Sequence, residues 1–416
     1  MGGHREAMDS RRERRSVLVL NQYAKPRGEA GSSRHSDLFG RVRGWHFRVL
    51  SGDRDLYSRD RYASHDPNFE LVPVLGYERN DGRRILNWVS YCLGAFVASF
   101  RGPRPAVVYG SSPHLLAPLT ALVLARVHRA RFVFEVRDLW PRSLVDLGHL
   151  RAGSALHRVL RGVETWLYRR ADRIVLVTDG MREHLAELGV DLAKVVTISN
   201  GAAPEDFGPR PGVTPLRERV PVRGRLLVFA GAHGAKDGLD AVLDAASALP
   251  DDTFVLIGDG TDKPRVIERA RTEGLANVHF LGLMPKTELR AVLGGADVGL
   301  HTVADVAIFR LGMSPNKLYD YLAAGLPVVT NAPGEPHAIV AAARAGVGVD
   351  PDRLAAGIEQ VTAAGPDELA RMSRNAVEYM RTTKSPSVAV RHLQQLLDEV
   401  VPDPQRVAAA PDRASA

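Results

Sequence analysis

Short runs of β-branched and other apolar residues alternate with stretches of helical periodicity along most of the chain. In the first half, the predicted strands are 16–23, 46–52, 106–112, 131–138, 173–180 and 194–201. Helical stretches at 81–101, 114–129 and 154–171 separate them. This alternation is typical of α/β folds, in which helices cover parallel sheets.

The alternation pauses at GPRPGVTPLRERVPVRG, residues 208–224, where Pro, Gly and Arg replace the apolar period, and this segment is the predicted linker. Strands are predicted again at 225–231, 253–260, 278–282, 297–303, 327–331 and 346–350. A chain of 416 residues is too long for one core. The pattern therefore predicts two doubly wound, Rossmann-like domains. The tails, 1–15 and 402–416, are predicted to be disordered.

Each half begins with a strand that runs into a glycine-containing loop. The first loop, NQYAKPRGEAGSSRH, contains Gly28 and Gly31, and the second, FAGAHGAKDG, contains Gly231, Gly234 and Gly238. Glycine lets backbone N–H groups approach a phosphate at a helix N-terminus. Neither loop is GxGxxG, so a nicotinamide dinucleotide site is poorly supported. Tight turns after parallel strands also need glycine, and that structural explanation stays open.

The segment LGMSPNKLYDYLAAGLPVV, residues 311–329, predicts a helix followed by a buried strand. Ser314 is a suitable N-cap and Pro315 suits the first helical turn. Lys317 is a cation in the first turn, where the helix dipole favours an acid. A bound anion at the helix tip would explain that lysine.

Two further side chains extend this predicted phosphate site. Arg310 lies just upstream and could close the same pocket. Asp320 follows Lys317 by three positions, so both project on one side of the helix, where a carboxylate could accept two ribose hydroxyls. The alternative is that Lys317 and Asp320 simply pair on a surface helix.

Two other segments could complete a nucleotide site. The strand in FVLIGDG ends at Gly258, Asp259 and Gly260, which would bring open backbone to the rim of a cleft. Leu283 comes just after the strand in VHFLG, where a base could lie against main chain. Either segment could also be an ordinary turn.

The distribution of charge indicates which kinds of partner the chain could bind, and the cysteine content limits the kinds of site it could contain. Residues 1–207 hold 32 Lys and Arg against 23 Asp and Glu, whereas residues 208–416 hold 23 against 25. A basic first half suits nucleic acid, an acidic lipid surface or a phosphorylated substrate, although a solvated Arg-rich face has the same composition. The single cysteine, Cys92, excludes a disulfide framework, and no residues have zinc-site spacing.

The longest uncharged apolar stretch is ILNWVSYCLGAFVASF, residues 85–100. It is short for a membrane span and predicts a buried or membrane-surface helix. The residues that could contact lipid headgroups are Arg83, Arg84, Arg101 and Arg104. The N-terminus has no apolar signal segment, so a cytoplasmic protein, with peripheral contact to an anionic inner membrane face, is expected.

Taken together, FVFEVRDLWP, GAHGAKDGLD, GDG, NVHFLGLMPKTEL and IFRLGMSPNKLYDYLAAGLPVV resemble the family-4 retaining glycosyltransferases. The resemblance is strongest to the bacterial branch that builds O-antigen and capsular polysaccharide, and it covers roughly residues 16–400. It implies the GT-B fold, with two Rossmann-like domains facing a cleft. Residues 16–207 would bind the acceptor and residues 225–384 the nucleotide sugar, and the last helix, 385–400, would return to the first domain.

The resemblance also implies roles for individual residues. Arg310 and Lys317 would hold the donor diphosphate and act in catalysis. The other implied donor-binding residues are Gly231, His233, Gly234, Gly258, Asp259, Gly260, Leu283, Ser314, Asn316, Asp320 and Glu335. The implied acceptor-side residues are Gly28, Gly31, Arg34, His114, Arg137 and Asp138.

Two departures from the family pattern matter. The first acid of the paired-Glu motif would fall at position 312, which is Gly312 here, so Glu335 is the expected contact to the donor sugar. Many members carry a Lys just before the glycine that matches Gly238. Here that residue is Asp237, and Lys236 stands one place earlier.

The predicted function is retaining transfer of a hexose or N-acetylhexosamine from a nucleoside-diphosphate sugar, most simply UDP, to a lipid-linked glycan. No metal or other cofactor is expected, since fixed cations would hold the diphosphate, and nucleic acid is not an expected partner. The alternatives are the same chemistry on a soluble natural-product acceptor, a nucleotide-sugar 2-epimerase, and a non-catalytic nucleotide binder.

Overall fold

The computed structural model describes residues 15–26, 34–56, 58–78, 82–112, 114–146, 148–306, 309–310, 312 and 314–402. The chain divides into two compact units. The first comprises Met1–Val177, Arg182–Ile198 and Ala389–Ala416, and the second comprises Thr178–Met181 and Ser199–Val388. Residues 1–14 and 403–416 of the two tails predicted to be disordered, and residues 27–33 with Gly28 and Gly31, lie outside the described residues.

The first unit is built on a seven-stranded parallel sheet in the order β3-β2-β1-β4-β5-β6-β7. Its strands are β1 (Ser16–Leu20), β2 (His46–Gly52), β3 (Phe69–Val72), β4 (Val107–Ser111), β5 (Arg131–Val136), β6 (Arg173–Leu176) and β7 (Val195–Thr197). Six of these were predicted. Sequence analysis missed β3, because four residues, FELV, are too few to show a period.

The helices that accompany this sheet are α1 (Arg34–Phe39), α2 (Gly82–Ala98), α3 (Leu116–Val127), α4 (Arg142–Asp146), α5 (Ala155–Arg170) and α6 (Met181–Glu187). Strands β1 and β4 to β6 are apolar on both faces, as expected for a sheet covered on both sides. Their buried valines, including Val17, Val107 and Val175, form one core cluster.

The second unit has a six-stranded parallel sheet in the order β10-β9-β8-β11-β12-β13. Its strands are β8 (Leu226–Ala230), β9 (Thr253–Ile257), β10 (Val278–Leu281), β11 (Val298–His301), β12 (Val328–Thr330) and β13 (Gly346–Gly348). Its helices are α7 (Leu216–Arg219), α8 (Leu239–Ala248), α9 (Lys263–Thr272), α10 (Lys286–Val292), α11 (Asn316–Ala323), α12 (Glu335–Ala343), α13 (Leu354–Thr362) and α14 (Gly365–Thr382).

The last helix, α15 (Pro386–Val400), begins in the second unit and continues into the first. Leu393, Leu396 and Leu397 are fully buried there in the core cluster that contains Val17 and Val107. The residues of α15 from Ala389 onward therefore complete the core of the first unit.

Residues 208–224 are not an extended linker. Leu216 and Val220 are buried in the core cluster of the second unit, with Leu226 and Leu293. The helix α7 lies within this segment, and Arg217 pairs with Asp297 at its surface. Two buried side chains among many Pro, Gly and Arg residues give no apolar period, so the sequence pattern did not reveal this packing.

Candidate functional site

Two glycine turns lie against each other at the carboxyl ends of β8 and β9. The N–H of Gly231 donates to Ile257 O at 2.9 Å. Gly258 has φ +139°, and a Cβ on it would lie 1.9 Å from Gly231 O. A Cβ on Gly260 would likewise lie 2.4 Å from His233 O. Glycine is therefore required at both positions, because the backbones approach too closely for any side chain.

Lys317 lies directly over the first of these turns. A Cβ built on Gly231 would be 2.1 Å from Lys317 Cε. The Lys317 ammonium also lies 4.4 Å from the centroid of the Phe229 ring at the end of β8. Helix α11 thus delivers a positive charge to open backbone at the carboxyl end of the sheet, where ligands of such folds bind.

The ammonium of Lys317 is paired with Asp237, not with Asp320. Asp237 is buried at the end of a single 3₁₀ turn, where its carboxylate also accepts the Gly234 N–H at 3.2 Å. Burial lowers the pKa of Lys317, and Asp237 opposes that shift. The alternative of a Lys317–Asp320 pair on a surface helix is wrong, since the partner comes from a distant loop.

Sequence analysis missed a second lysine here, Lys263, the first residue of α9. Its ammonium donates to Gly258 O at 2.7 Å and to Leu281 O at 3.2 Å. It therefore joins the ends of β9 and β10. The signal that singles out Lys317, a cation in a first helical turn, is also present at Lys263.

His233 lies between these lysines in the loop after β8. Its side chain is fully buried, and neither ring nitrogen has a hydrogen-bond partner in the described part of the chain. Burial, together with Lys263 and Lys317, lowers the pKa of the imidazole. The Ile257 backbone opposes this shift, and the ring is neutral at physiological pH, with one N–H donor and one acceptor nitrogen.

The N-terminus of α11 differs in detail from the prediction. The helix begins at Asn316 with Pro315 at the N-cap, and Ser314 is not the cap. Instead, Asn200 Nδ2 donates to Ser314 Oγ at 2.8 Å and to Asn316 Oδ1 at 3.0 Å. The Asn316 N–H donates to Ser314 O at 2.9 Å, but no side chain caps the helix, so the next N–H groups, those of Lys317 and Leu318, keep their capacity to bind an anion.

Asp320 is on the same helix but in a different environment. Burial raises the pKa of its carboxyl, an effect that Lys286 and Arg290 oppose and Asp206 reinforces. No hydrogen bond from a described residue reaches this carboxylate, although the cations of Lys286 and Arg290 act on it. Both of its oxygens are thus able to accept hydroxyl groups.

Leu283 is 80% exposed, the highest value among the exposed large apolar side chains of the described residues. It follows β10 directly, at the same sheet edge as the glycine turns. Asp259 is exposed as well, and its carboxylate accepts the Gly260 N–H at 2.9 Å while its carbonyl accepts the His233 N–H at 2.9 Å.

Two segments of the chain match models of known protein families. Residues 40–201 match the family model described as a glycosyl transferase 4-like domain. Residues 224–364 match the model described as glycosyl transferases group 1. The two matches fall one in each unit and together cover most of the chain. The chain is therefore built of two glycosyltransferase domains.

Curated relatives agree with these two matches. The glycosyltransferase is 30% identical to the probable glycosyltransferase WbjE of Pseudomonas aeruginosa over 227 residues, 54% of this chain and 56% of that protein. It is 29% identical to the 2-deoxystreptamine glucosyltransferase of Streptomyces kanamyceticus over 152 residues, 34% and 39% of the two chains. The chain spans about half the length of the first curated relatives that it matches.

The fold is similar to that of HepE from Anabaena solved with UDP, at a TM-score of 0.69 and 16% identity over 92% of this chain and 100% of that one. Sucrose-phosphate synthase from Thermosynechococcus elongatus gives a TM-score of 0.71 at 17% identity, over 95% and 100%. The predicted fold class, two doubly wound Rossmann-like domains of the GT-B type, is confirmed.

Two donor-site candidates of the glycosyltransferase have other contacts. The Arg310 guanidinium is mostly exposed and pairs with Asp305 at 3.0 Å. The Glu335 carboxylate accepts the Gly180 N–H at 3.1 Å and lies 3.7 Å from Lys384 Nζ. Burial raises the pKa of Glu335, whereas the Gly180 N–H and Lys384 oppose that shift. Glu335 therefore binds the 178–181 segment, which the sequence did not indicate.

Of the predicted acceptor-side residues, Arg34 is structural. Its guanidinium is buried, donating to Glu135 Oε1 at 2.9 Å and Ile198 O at 2.5 Å. Glu135 also accepts from Tyr109 and Ser111 and bonds to His35. Burial opposes its ionisation, but Arg34 and the neighbouring groups hold the pKa of Glu135 well below its usual range. Arg34 therefore neutralises a buried carboxylate, and its role on the acceptor side stays a prediction.

His114 is buried at the carboxyl end of β4, where its Nδ1 accepts the Ala117 N–H and its Nε2 donates to Gln22 at 2.8 Å. Burial lowers the pKa of His114 to about 3, so the ring is neutral. Trp88 stacks on it at 4.8 Å, and Trp140 lies edge-on to Trp88. Two half-buried indoles thus lie at this sheet edge, a feature that sequence analysis missed.

Arg137 and Asp138 follow β5 at the same edge, half-buried and exposed respectively. The Arg137 N–H donates to Ser112 Oγ at 2.9 Å. Gly28 and Gly31 lie outside the described residues. In the described part of the chain, no three His, Cys, Asp or Glu side chains are grouped so as to hold a metal ion. No helix in that part has both the length and the apolarity that a bilayer span requires.

Proposed function

We propose that this glycosyltransferase transfers a hexose or N-acetylhexosamine, with retention of anomeric configuration, from a UDP-sugar to a hydroxyl of a lipid-linked glycan in cell-surface polysaccharide synthesis. The observation that carries the proposal is the position of Lys317 over the open backbone of Gly231. A lysine over a glycine turn, at an uncapped helix N-terminus, is suited to a diphosphate.

The surrounding residues support the same ligand. The neutral His233 offers one N–H donor near Lys317, and Lys263 adds a second positive charge. Asp320 has free acceptor oxygens for a ribose diol, and Leu283 offers an exposed apolar side chain to a base. Solved structures with the same fold carry UDP, UDP and glucose, or UDP-glucose.

In the proposed reaction, the bond between the anomeric carbon and the diphosphate oxygen breaks as the acceptor oxygen bonds to that carbon. The departing phosphate takes the acceptor proton, so both events occur on one face of the sugar. Lys317 and the N–H groups at the start of α11 stabilise the charge that develops on the leaving group. One such donor is typically worth about 100-fold in rate. Fixed cations take the place of a metal ion.

The acceptor class is supported by two relatives of this chain. One is a putative colanic acid biosynthesis glycosyl transferase of Escherichia coli, and the other is a putative teichuronic acid biosynthesis glycosyltransferase of Bacillus subtilis. The match to a 2-deoxystreptamine glucosyltransferase favours a second candidate, the same transfer to a soluble natural product.

Calorimetry with UDP, GDP, ADP and dTDP tests the donor site. Wild-type protein is expected to bind UDP most tightly, and Lys317→Ala to bind it at least about tenfold more weakly, because a charge-assisted contact is lost. Lys194→Ala is a matched control, since that lysine bonds only to carbonyls at the end of α5. Equal binding by wild type and Lys317→Ala would contradict the phosphate role. With UDP-sugar and a lipid-linked acceptor, NMR of the product anomer tests retention.

A further inference from the structure

The outer face of the helical layer α2, α3 and α5 is apolar where solvent-facing helices are normally polar. Eleven of the fifteen exposed large apolar side chains in the described residues lie on these helices or on the 3₁₀ turn after α2. They are Ile85, Leu86, Val89, Leu93, Val97, Phe100, Val123, Val127, Leu156, Val159 and Trp166. So large a set on one layer marks an interaction surface.

On α2 these side chains form a single stripe. Leu86, Val89, Leu93, Val97 and Phe100 follow one another at spacings of three and four residues, which is one helix face. The opposite face, with Asn87, Tyr91, Ala95 and Ala98, is buried against the fold. The helix is therefore apolar on both sides, and its seventeen residues present a stripe about 25 Å long.

The charges around the stripe are mostly positive, although Arg101 and Arg131 pair with Glu70 and Asp172 at its border. Residues 82–134 contain seven arginines and no Asp or Glu. Of these, Arg83, Arg101, Arg104, Arg126, Arg129 and Arg131 are exposed. On α5 the exposed charged residues are Arg158, Arg161, Arg169 and Arg170, and the only acid of that helix, Glu164, is buried. Helix α3 packs against both α2 and α5, so the basic residues border one apolar surface.

From this geometry we infer that the face formed by α2, α3 and α5 docks on an anionic phospholipid bilayer, with the apolar stripe at the acyl boundary and the arginines among the headgroups. Helices that are apolar on one face, rich in arginine and flanked by Trp lie in the plane of the membrane–water interface. A second copy of the chain is a poorer partner, because face-to-face pairing would bring two arginine-rich surfaces with a net positive charge together. The inference rests on the proposed function for its role, since a docked enzyme meets a lipid-linked acceptor at the membrane.

Vesicle flotation of the full chain tests this docking. Vesicles of phosphatidylcholine with about one-third phosphatidylglycerol are expected to bind at least about tenfold more tightly than pure phosphatidylcholine, and raised salt is expected to weaken the binding. Leu93→Glu combined with Val97→Glu should remove binding. Ile267→Glu, at an exposed aliphatic residue of α9 in the other unit, should leave it unchanged.

The arginines are tested separately by Arg83→Gln combined with Arg126→Gln. Binding to the vesicles is expected to weaken about fivefold for each arginine removed. The control is Arg353→Gln combined with Arg374→Gln, which removes two exposed arginines of the second unit and should leave binding unchanged. No flotation on anionic vesicles, or equal flotation of Leu93→Glu/Val97→Glu, would overturn the inference. A dimer that the same double variant dissociates, with no lipid binding, would identify the face as a contact between copies instead.

Calorimetry with UDP on the same variants separates the two proposals. Variants that lose flotation but keep both UDP binding, which reports on the second unit, and the wild-type thermal unfolding curve are folded, so their loss of flotation reports on the lipid surface. Wild-type protein that floats but binds no nucleotide would contradict the proposed function and leave the docking surface intact.

Discussion

Asp237 holds the ammonium of Lys317 at the place where a donor diphosphate is proposed to bind. The carboxylate is buried and also accepts the Gly234 N–H, so it is fixed in the loop and is not a mobile surface group. A diphosphate that reaches Lys317 therefore meets a negative charge. Asp237 both keeps the lysine charged, against the desolvation that lowers its pKa, and repels the ligand.

We expect Asp237→Asn to bind UDP about fivefold more tightly, because the amide keeps the acceptor for Gly234 but removes the repelling charge. Calorimetry measures the change. Asp352→Asn, at an exposed aspartate of the same unit, is the control for a change in net charge. Unchanged or weaker UDP binding by Asp237→Asn would mean that Asp237 positions Lys317 more than it competes with the ligand.

Gly231→Ala tests the contact between Lys317 and the glycine turn. The added methyl would lie 2.1 Å from Lys317 Cε, so the lysine must move away while the backbone can stay in place. We expect UDP binding to weaken about tenfold, to a degree similar to Lys317→Ala, with little loss of thermal stability. Gly162→Ala on α5 is the control, since nothing lies within 4 Å of its Cβ position. It should raise stability by up to about 1 kcal/mol without changing UDP affinity.

The sequence predicted this site in part, and the reason is physical. Lys317 was recognisable because a cation in a first helical turn opposes the helix dipole, and the glycine turns because strands end there. Its partner Asp237 could not be predicted, since the pairing depends on where a loop eighty positions away is placed. Ser314 was misread as an N-cap because its partner, Asn200, lies even further away, 114 positions earlier in the sequence.

The fold was more predictable than the site, because strand and helix periods are local. Strand β3 and the packing of Leu216 escaped prediction since each depends on a few residues whose burial is decided by tertiary contacts. The same holds for Arg34 on helix α1, whose buried partner Glu135 lies on strand β5, 101 positions later in the sequence. From the sequence alone, a charged residue near a glycine loop suggests ligand binding, because the buried carboxylate that pairs with it is not visible.

Asp320 is expected to recognise the sugar of the nucleotide. Its carboxylate has free acceptor capacity, so it can accept both hydroxyls of a ribose, whereas an amide accepts with one oxygen only. We expect Asp320→Asn to weaken UDP binding and to reduce the preference for UDP over 2′-deoxy-UDP severalfold. Competition calorimetry with the two nucleotides gives the ratio directly. An unchanged ratio would place the ribose elsewhere.

Metal independence is a separate prediction of the proposed mechanism. If Lys317 and the N-terminus of α11 neutralise the leaving diphosphate, then EDTA should leave the rate of sugar transfer within about twofold of its value with Mg²⁺. Rates are compared after dialysis against chelator, with and without added metal. Activity that depends on Mg²⁺ or Mn²⁺ would show that the fixed cations are not sufficient.

Acid should destabilise both units through one buried histidine each. Burial lowers the pKa of His114 and of His301 to about 3, from an unfolded value near 6.5. Between those values the unfolded chain binds more protons than the folded one, so stability is present above pH 6.5 and is lost as pH falls. Each histidine should lower the free energy of unfolding by about 2 kcal/mol between pH 7.5 and pH 5.

Urea unfolding at the two pH values measures this loss. His301→Gln is expected to lower stability at pH 7.5, because the bond from His301 to Thr330 is lost, but to reduce the pH dependence. His114→Gln should do the same in the first unit, and His65→Gln, at an exposed histidine, should leave the dependence unchanged. If both buried variants keep the full wild-type pH dependence, acid acts through other groups and the two histidines are not the reason for it.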